Sequence, residues 1–210
     1  QIYRKNKEDL GCKRHKKIFN DYNVIPNNCF GCYKVIIEPK TVIDLVKLYI
    51  LLDSIKLENN NIRKCMIELR PNVEGKYKSL IYCSDINEAE SISKKLKILI
   101  DDTINNNIMV DIKRGCTEFS MSFPQYKDYK SNSMKYDESW KEKEELIDNK
   151  FPNLLKNKIN KETISGITLN DILVIRNWIC YAKLVGDNTY KMISEDNFIS
   201  AFIEKKIPLR

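Results

Sequence analysis

Residues 33–38, YKVIIE, alternate: Tyr33, Val35 and Ile37 fall on one side, Lys34, Ile36 and Glu38 on the other, and Pro39 stops the run. That two-residue period predicts a strand. The pattern then changes to a helical one. Thr41 with Asp44 reads as a cap, and Val42, Leu45, Val46, Tyr49 and Leu52 keep one face to about Leu57. In NIRKCMIELRP the period returns to two, with Cys65, Ile67 and Leu69 inward and Lys64, Glu68 and Arg70 outward. The turn NVEG leads into a third strand, KYKSLIYC. Asp85 with Glu88 caps a second helix carrying Ala89, Ile92, Leu96, Leu99 and Ile100, and the asparagines at 105–107 close it before a fourth strand, IMVDIK. Arg114 and Gly115 are placed to turn the chain back into a fifth strand, CTEFSMSF.

Strand, helix, strand, strand, helix, strand predicts an α+β fold of ferredoxin-like βαββαβ type. Two helices would cover one face of an antiparallel sheet whose four strands stand in spatial order 4-1-3-2. We place this domain at 33–124, after a metal-binding segment at 1–32. Residues 125–137 lack apolar periodicity and read as a linker, and 138–210 as a helical C-terminal region. Within that region Thr168 and Asp171 cap a long helix, Gly186 stands where its C-terminus belongs, and Ser194 opens a last helix to about Lys206.

The longest apolar run, VIDLVKLYILL, carries Asp44 and Lys47 and is too short for a membrane span, so no membrane partner is expected. The chain opens at Gln1 instead of Met, from which we expect a further segment upstream. Seven cysteines, an odd number without a secretory signal, predict a reducing, cytoplasmic setting with thiols free or metal-bound. Of the net charge of +7, most lies near the start: residues 1–40 hold nine Lys/Arg against four Asp/Glu, whereas 41–125 balance at twelve each.

The same N-terminal stretch carries the clearest candidate chemistry. Cys12 and His15, the only histidine, are three residues apart, and so are Cys29 and Cys32, with thirteen residues between the pairs. Two such pairs suit tetrahedral zinc, since each spacer folds into a turn that aims both side chains at one point. All four ligands would be protein atoms, so zinc here is expected to be structural. In the predicted sheet Cys83 and Cys116 come close to Cys32, making them alternate ligands and leaving an iron–sulfur cluster open. Cys65 and Cys180 read as buried apolar residues. With its one histidine committed, the chain lacks the base for Ser-His-Asp or Cys-His catalysis.

Two surfaces are candidates for a partner. The run KRHKK supplies Lys13, Arg14, Lys16 and Lys17 for phosphates. The sheet face away from the helices should display Lys34, Glu38, Lys64, Glu68, Arg70, Lys78, Tyr82, Asp111 and Lys113. The segment GKYKSLIY partly resembles the RNA-recognition pattern through Tyr77 and Tyr82, with Ser79 where a stacking aromatic belongs, and no family follows from it. The expectation is a zinc-stabilised module binding nucleic acid or an acidic protein through Lys13, Arg14, Lys16, Lys17, Lys34, Lys64 and Tyr82. The alternatives are an enzyme using Glu38, Glu68 and Arg70 with structural zinc, and a protein-interaction domain of a larger chain.

Overall fold

The computed structural model describes residues 1–130, 134–156, 158–163 and 165–194. The fold is α+β. Five strands, β1 (Ile2–Arg4), β2 (Tyr33–Glu38), β3 (Arg63–Ile67), β4 (Tyr77–Cys83) and β5 (Met109–Arg114), form one sheet in the order β1-β3-β4-β2-β5. Every neighbouring pair is antiparallel.

The inward halves of the alternating patterns build the main core. Val35, Ile37, Tyr77 and Ile81 are fully buried beneath α2 (Val42–Ser54) and α3 (Ile86–Thr103), which contribute Leu45, Leu48, Leu96 and Ile100. Both helices start where their caps require. The Thr41 hydroxyl accepts from the Asp44 amide at 3.1 Å and the Asp85 carboxylate from the Glu88 amide at 2.9 Å, each satisfying an orphan donor of the first turn. A Thr168–Asp171 capping box opens α6 (Leu169–Leu184), which adds Trp178, Ile179 and Ala182 to this same core. Arg4 on β1 bonds Asp53, Tyr49 and Asp171, fastening the edge strand to α2 and α6.

Two smaller cores gather the remaining helices, α1 (Cys12–Tyr22), α4 (Thr117–Ser122) and α5 (Lys141–Lys150). Ile18, Val24 and Ile147 pack between α1 and α5. Arg14 clamps these helices together, donating to Asp148 at 2.6 and 2.7 Å and to Glu144 at 2.9 Å. Ile25, Cys29, Phe119 and Tyr126 form the other cluster.

Several expectations need correction. CTEFSMSF is not a strand: beyond Gly115 it forms α4. Phe119 is buried while Met121 is 54 % exposed, so these two residues do not share a face as they would in a strand. Leu69 is 71 % exposed because β3 ends at Ile67. Tyr126, in the stretch read as a linker, is fully buried among Phe119 and Phe30. Cys180, read as buried, is only partly so. The three-residue β1 was not anticipated. The helix expected from Ser194 to about Lys206 lies, apart from Ser194 itself, outside the described residues. Among the described residues, no helix is long and apolar enough to cross a membrane.

Candidate functional site

The side of the sheet away from α2, α3 and α6 is neither a second core nor an open surface. It floors a cleft walled by Glu8, Asp9, Leu10, Lys13 and Lys16, by Thr117 and Glu118, and by Asn153, Leu154, Lys156, Lys158 and Asn160. Two cavities that share lining residues, Lys34 and Cys116 among them, measure about 860 and 580 Å³.

Register decides what the floor presents. Lys113 on β5 stands directly opposite Lys34 on β2, which stands opposite Tyr82 on β4. In the next row Ile36, Leu80, Lys64 and Tyr3 follow one another across β2, β4, β3 and β1. Lys78 on β4 faces Met66 on β3. Four lysines from four strands thus share one enclosed face. Like charges directly opposite across strands are destabilising, so the Lys34–Lys113 pair is a cost to the fold.

Lys64 and Lys113 register this, whereas Lys34, despite its burial, is raised by the neighbouring Cys116 and Cys32. Burial, and then the Lys34 charge, lower Lys64 to about 8. Burial, followed by Lys34 and Lys78, lowers Lys113 to about 8. Lys78 has Glu68 as a partner at 3.5 Å. Lys34 is buried, donates to the Gly115 carbonyl at 2.9 Å and to Cys116 Sγ at 3.4 Å, and lies 4.9 Å from the Tyr82 ring centre. Among the described residues no carboxylate forms an ion pair with Lys34, Lys64 or Lys113.

At the far end of the face Glu68 accepts from Arg70 at 2.8 Å through both carboxylate oxygens. These Arg70 bonds, despite burial, hold its carboxyl at about 2. Arg70 also reaches Glu118 at 2.8 Å. Glu38 comes near Lys78 at the turn: a methyl group placed on Gly75 would stand within 3.4 Å of both side chains. Glu68, Arg70, Glu118 and Lys78 thus form one network of fixed charges, which Glu38 does not join through any ion pair among the described residues.

The deeper cavity receives the thiols. Cys12 opens α1, Cys29 and Cys32 belong to one tight turn closed by the Cys32 amide on the Cys29 carbonyl at 3.3 Å, and Cys116 follows β5. Gly115, next to Cys116, donates its amide to the Cys32 carbonyl at 2.8 Å, which locks the two segments side by side. All four cysteines line the cavity, as do Cys83 and His15. Burial is the first cause that raises the thiols of Cys12, Cys29 and Cys32, with Cys116 also among the causes for each. His15 belongs to different company: burial and then Arg14 depress it, and Glu144, Asp9 and Asp148 oppose them. Among the described residues no three His, Cys, Asp or Glu side chains stand close enough together to hold a metal ion, so the quartet Cys12, His15, Cys29 and Cys32 is not assembled as a ligand set.

Of the basic run, Arg14 is committed to α5 and Lys17 to Asp21 at 2.6 Å, leaving Lys13 and Lys16, both exposed, on the cleft wall. Alternation placed Lys78 and Lys113 on this face, but their enclosure depends on distant segments such as Glu8, Asp9 and Leu10 and Asn153 and Leu154, whose packing has no local signal. Tyr3 was missed with β1. Comparison of the chain with protein-family models, with curated proteins and with solved structures finds no match to any of them.

Proposed function

We propose that the protein is a binding module whose enclosed sheet face takes a phosphate-bearing strand, single-stranded nucleic acid being the class it suits. The observation that carries this is the set of Lys34, Lys64 and Lys113 on one walled floor, with Lys34 and Lys113 directly opposed and, among the described residues, no carboxylate in an ion pair with any of them. A polyanion would relieve that repulsion. Tyr3 and Tyr82 flank the lysines and offer rings on which bases can stack, with Ile36 and Leu80 as apolar neighbours, the combination of cations and aromatics used for single strands. The walls that carry Glu8, Asp9 and Leu10 on one side and Asn153 and Leu154 on the other disfavour a duplex. The strand order β5-β2-β4-β3, all neighbours antiparallel, supports a ferredoxin-like description of the central βαββαβ run, with β1 added at its edge.

Titration of single-stranded and duplex oligonucleotides by fluorescence anisotropy at several salt concentrations tests the proposal. Single strands should bind more tightly, with a log–log salt slope of roughly −0.7 for each phosphate neutralised. Lys64→Met with Lys113→Met should weaken binding and flatten that slope. Absence of binding, or identical curves for parent and variant, would refute it.

Glu68, ionised down to about pH 2, is unsuited to proton transfer near neutrality, which weighs against acid–base catalysis by Glu38, Glu68 and Arg70. A protein-interaction role has an observation of its own: Leu169, Ile172 and Leu173 at the start of α6 are 74, 53 and 51 % exposed. Sedimentation showing association that Leu173→Ser abolishes would favour it.

A further inference from the structure

The structure assigns Cys116 as a nucleophilic thiol, with Lys34 as the cation beside its sulfur and small anionic electrophiles as the class of reagent it takes. This modification site stands apart from the nucleic-acid reading.

The first support is the contact itself. The Lys34 side chain is 5 % exposed and donates to Cys116 Sγ at 3.4 Å and to the Gly115 carbonyl at 2.9 Å. Of these two acceptors only the sulfur can become negative, and among the described residues no carboxylate forms an ion pair with Lys34. A buried ammonium without such a partner is costly, and negative charge on the sulfur compensates it through a charge-assisted hydrogen bond. A thiol beside a lysine and within reach of solvent is the setting in which cysteines become nucleophiles.

The second support is access. Cys116 is partly exposed, and it lines both cavities, as Lys34 does. Its backbone is held in place: the Gly115 amide donates to the Cys32 carbonyl at 2.8 Å, and the Cys116 carbonyl accepts from the Phe119 amide at 3.2 Å. The other cysteines lack this combination. Cys29, Cys65 and Cys83 are buried, and burial is the first cause that raises each of them. Cys12 is the more exposed residue, yet burial of its thiol and then the Cys116 charge raise it. Cys180 is partly exposed, but among the described residues no cation donates to its sulfur.

The third support sets the charge of the reagent. An ammonium has three N–H bonds, and the two acceptors of Lys34 leave one for an incoming oxygen. Of the carboxylates that line the smaller cavity, Glu68 and Glu118 are paired with Arg70, which leaves Glu8 and Asp9 against Lys34, Lys64 and Lys113. With iodoacetate as reagent, the thiol proton passes to solvent and the sulfur's electron pair forms a bond to the methylene carbon. The carbon–iodine bond breaks and iodide leaves with its pair, giving a carboxymethyl thioether.

The test is labelling of the full, reduced chain at pH 7 with limiting iodoacetate or iodoacetamide, read by peptide mass spectrometry. Cys116 should be alkylated about tenfold faster than Cys180, the gain expected of one charge-assisted hydrogen bond. The ratio of the iodoacetate rate to the iodoacetamide rate should be higher at Cys116 than at Cys180. Lys34→Met should bring both the rate and the ratio at Cys116 down to those of Cys180, and Lys34→Arg should restore the ratio. Circular dichroism checks the fold of each variant, and the two ratios within the parent decide the matter even where a variant does not fold. Equal rates at Cys116 and Cys180, faster labelling of Cys12, equal ratios at the two sites, or a folded Lys34→Met variant that reacts like the parent would each overturn the assignment. Labelling is read without an oligonucleotide, so its failure and the failure of the nucleic-acid reading are separate results.

Discussion

Raising the pH from 7 to 9 should weaken oligonucleotide binding far more than it would for an ordinary lysine surface. Lys64 and Lys113 sit near 8, so in the free protein each is about nine-tenths charged at pH 7 and about one-tenth charged at pH 9. A phosphate lodged among them favours the charged form, so binding above pH 8 must take up protons. Each lysine that the ligand requires charged then costs about tenfold in affinity over this interval, close to 1.4 kcal/mol, and both together about a hundredfold. Lysines at their usual value of about 10.4 stay almost wholly charged at pH 9 and would give a flat profile. The assay is anisotropy with oligo(dA), whose bases do not titrate in this range, at constant ionic strength. Lys64→Met with Lys113→Met should bind more weakly and lose the pH dependence. A parent profile that is flat to pH 9, or a fall that survives in the double variant, would refute the reasoning.

Other consequences follow from individual contacts. Glu68 is lowered to about 2, so the stability it confers is present above its unfolded value of about 4.5 and is lost as the pH falls towards 2. With Arg70 43 % exposed and partly screened, Glu68→Gln should cost about 2 kcal/mol at pH 7 and little at pH 2 in urea unfolding, and an equal cost at both would refute the pairing. Gly115→Ala should destabilise by more than about 2 kcal/mol: its φ is +55°, and the new methyl group would overlap the Tyr126 hydroxyl. Unchanged urea midpoints would show that Tyr126 moves freely.

The parts of the fold legible in the sequence are those set by local rules. The two-residue period of β2, β4 and the first part of β3 and the caps at Thr41, Asp85 and Thr168 sit where the pattern placed them, because each depends on neighbours within a few residues. The misreading of α4 has a related cause, since residues four apart such as Phe119 and Phe123 share a face in a strand and in a helix alike, and only tertiary packing decides that Phe119 enters a second core. The site was legible in its residue types and obscure in its assembly. Cys29 and Cys32 announce themselves by spacing, whereas Cys116 reaches them only through the β2–β5 pairing, 84 residues downstream of Cys32. Arg14 shows the opposite error: inside a basic run it looks like a contact residue, yet Glu144 and Asp148, far along the chain, claim it.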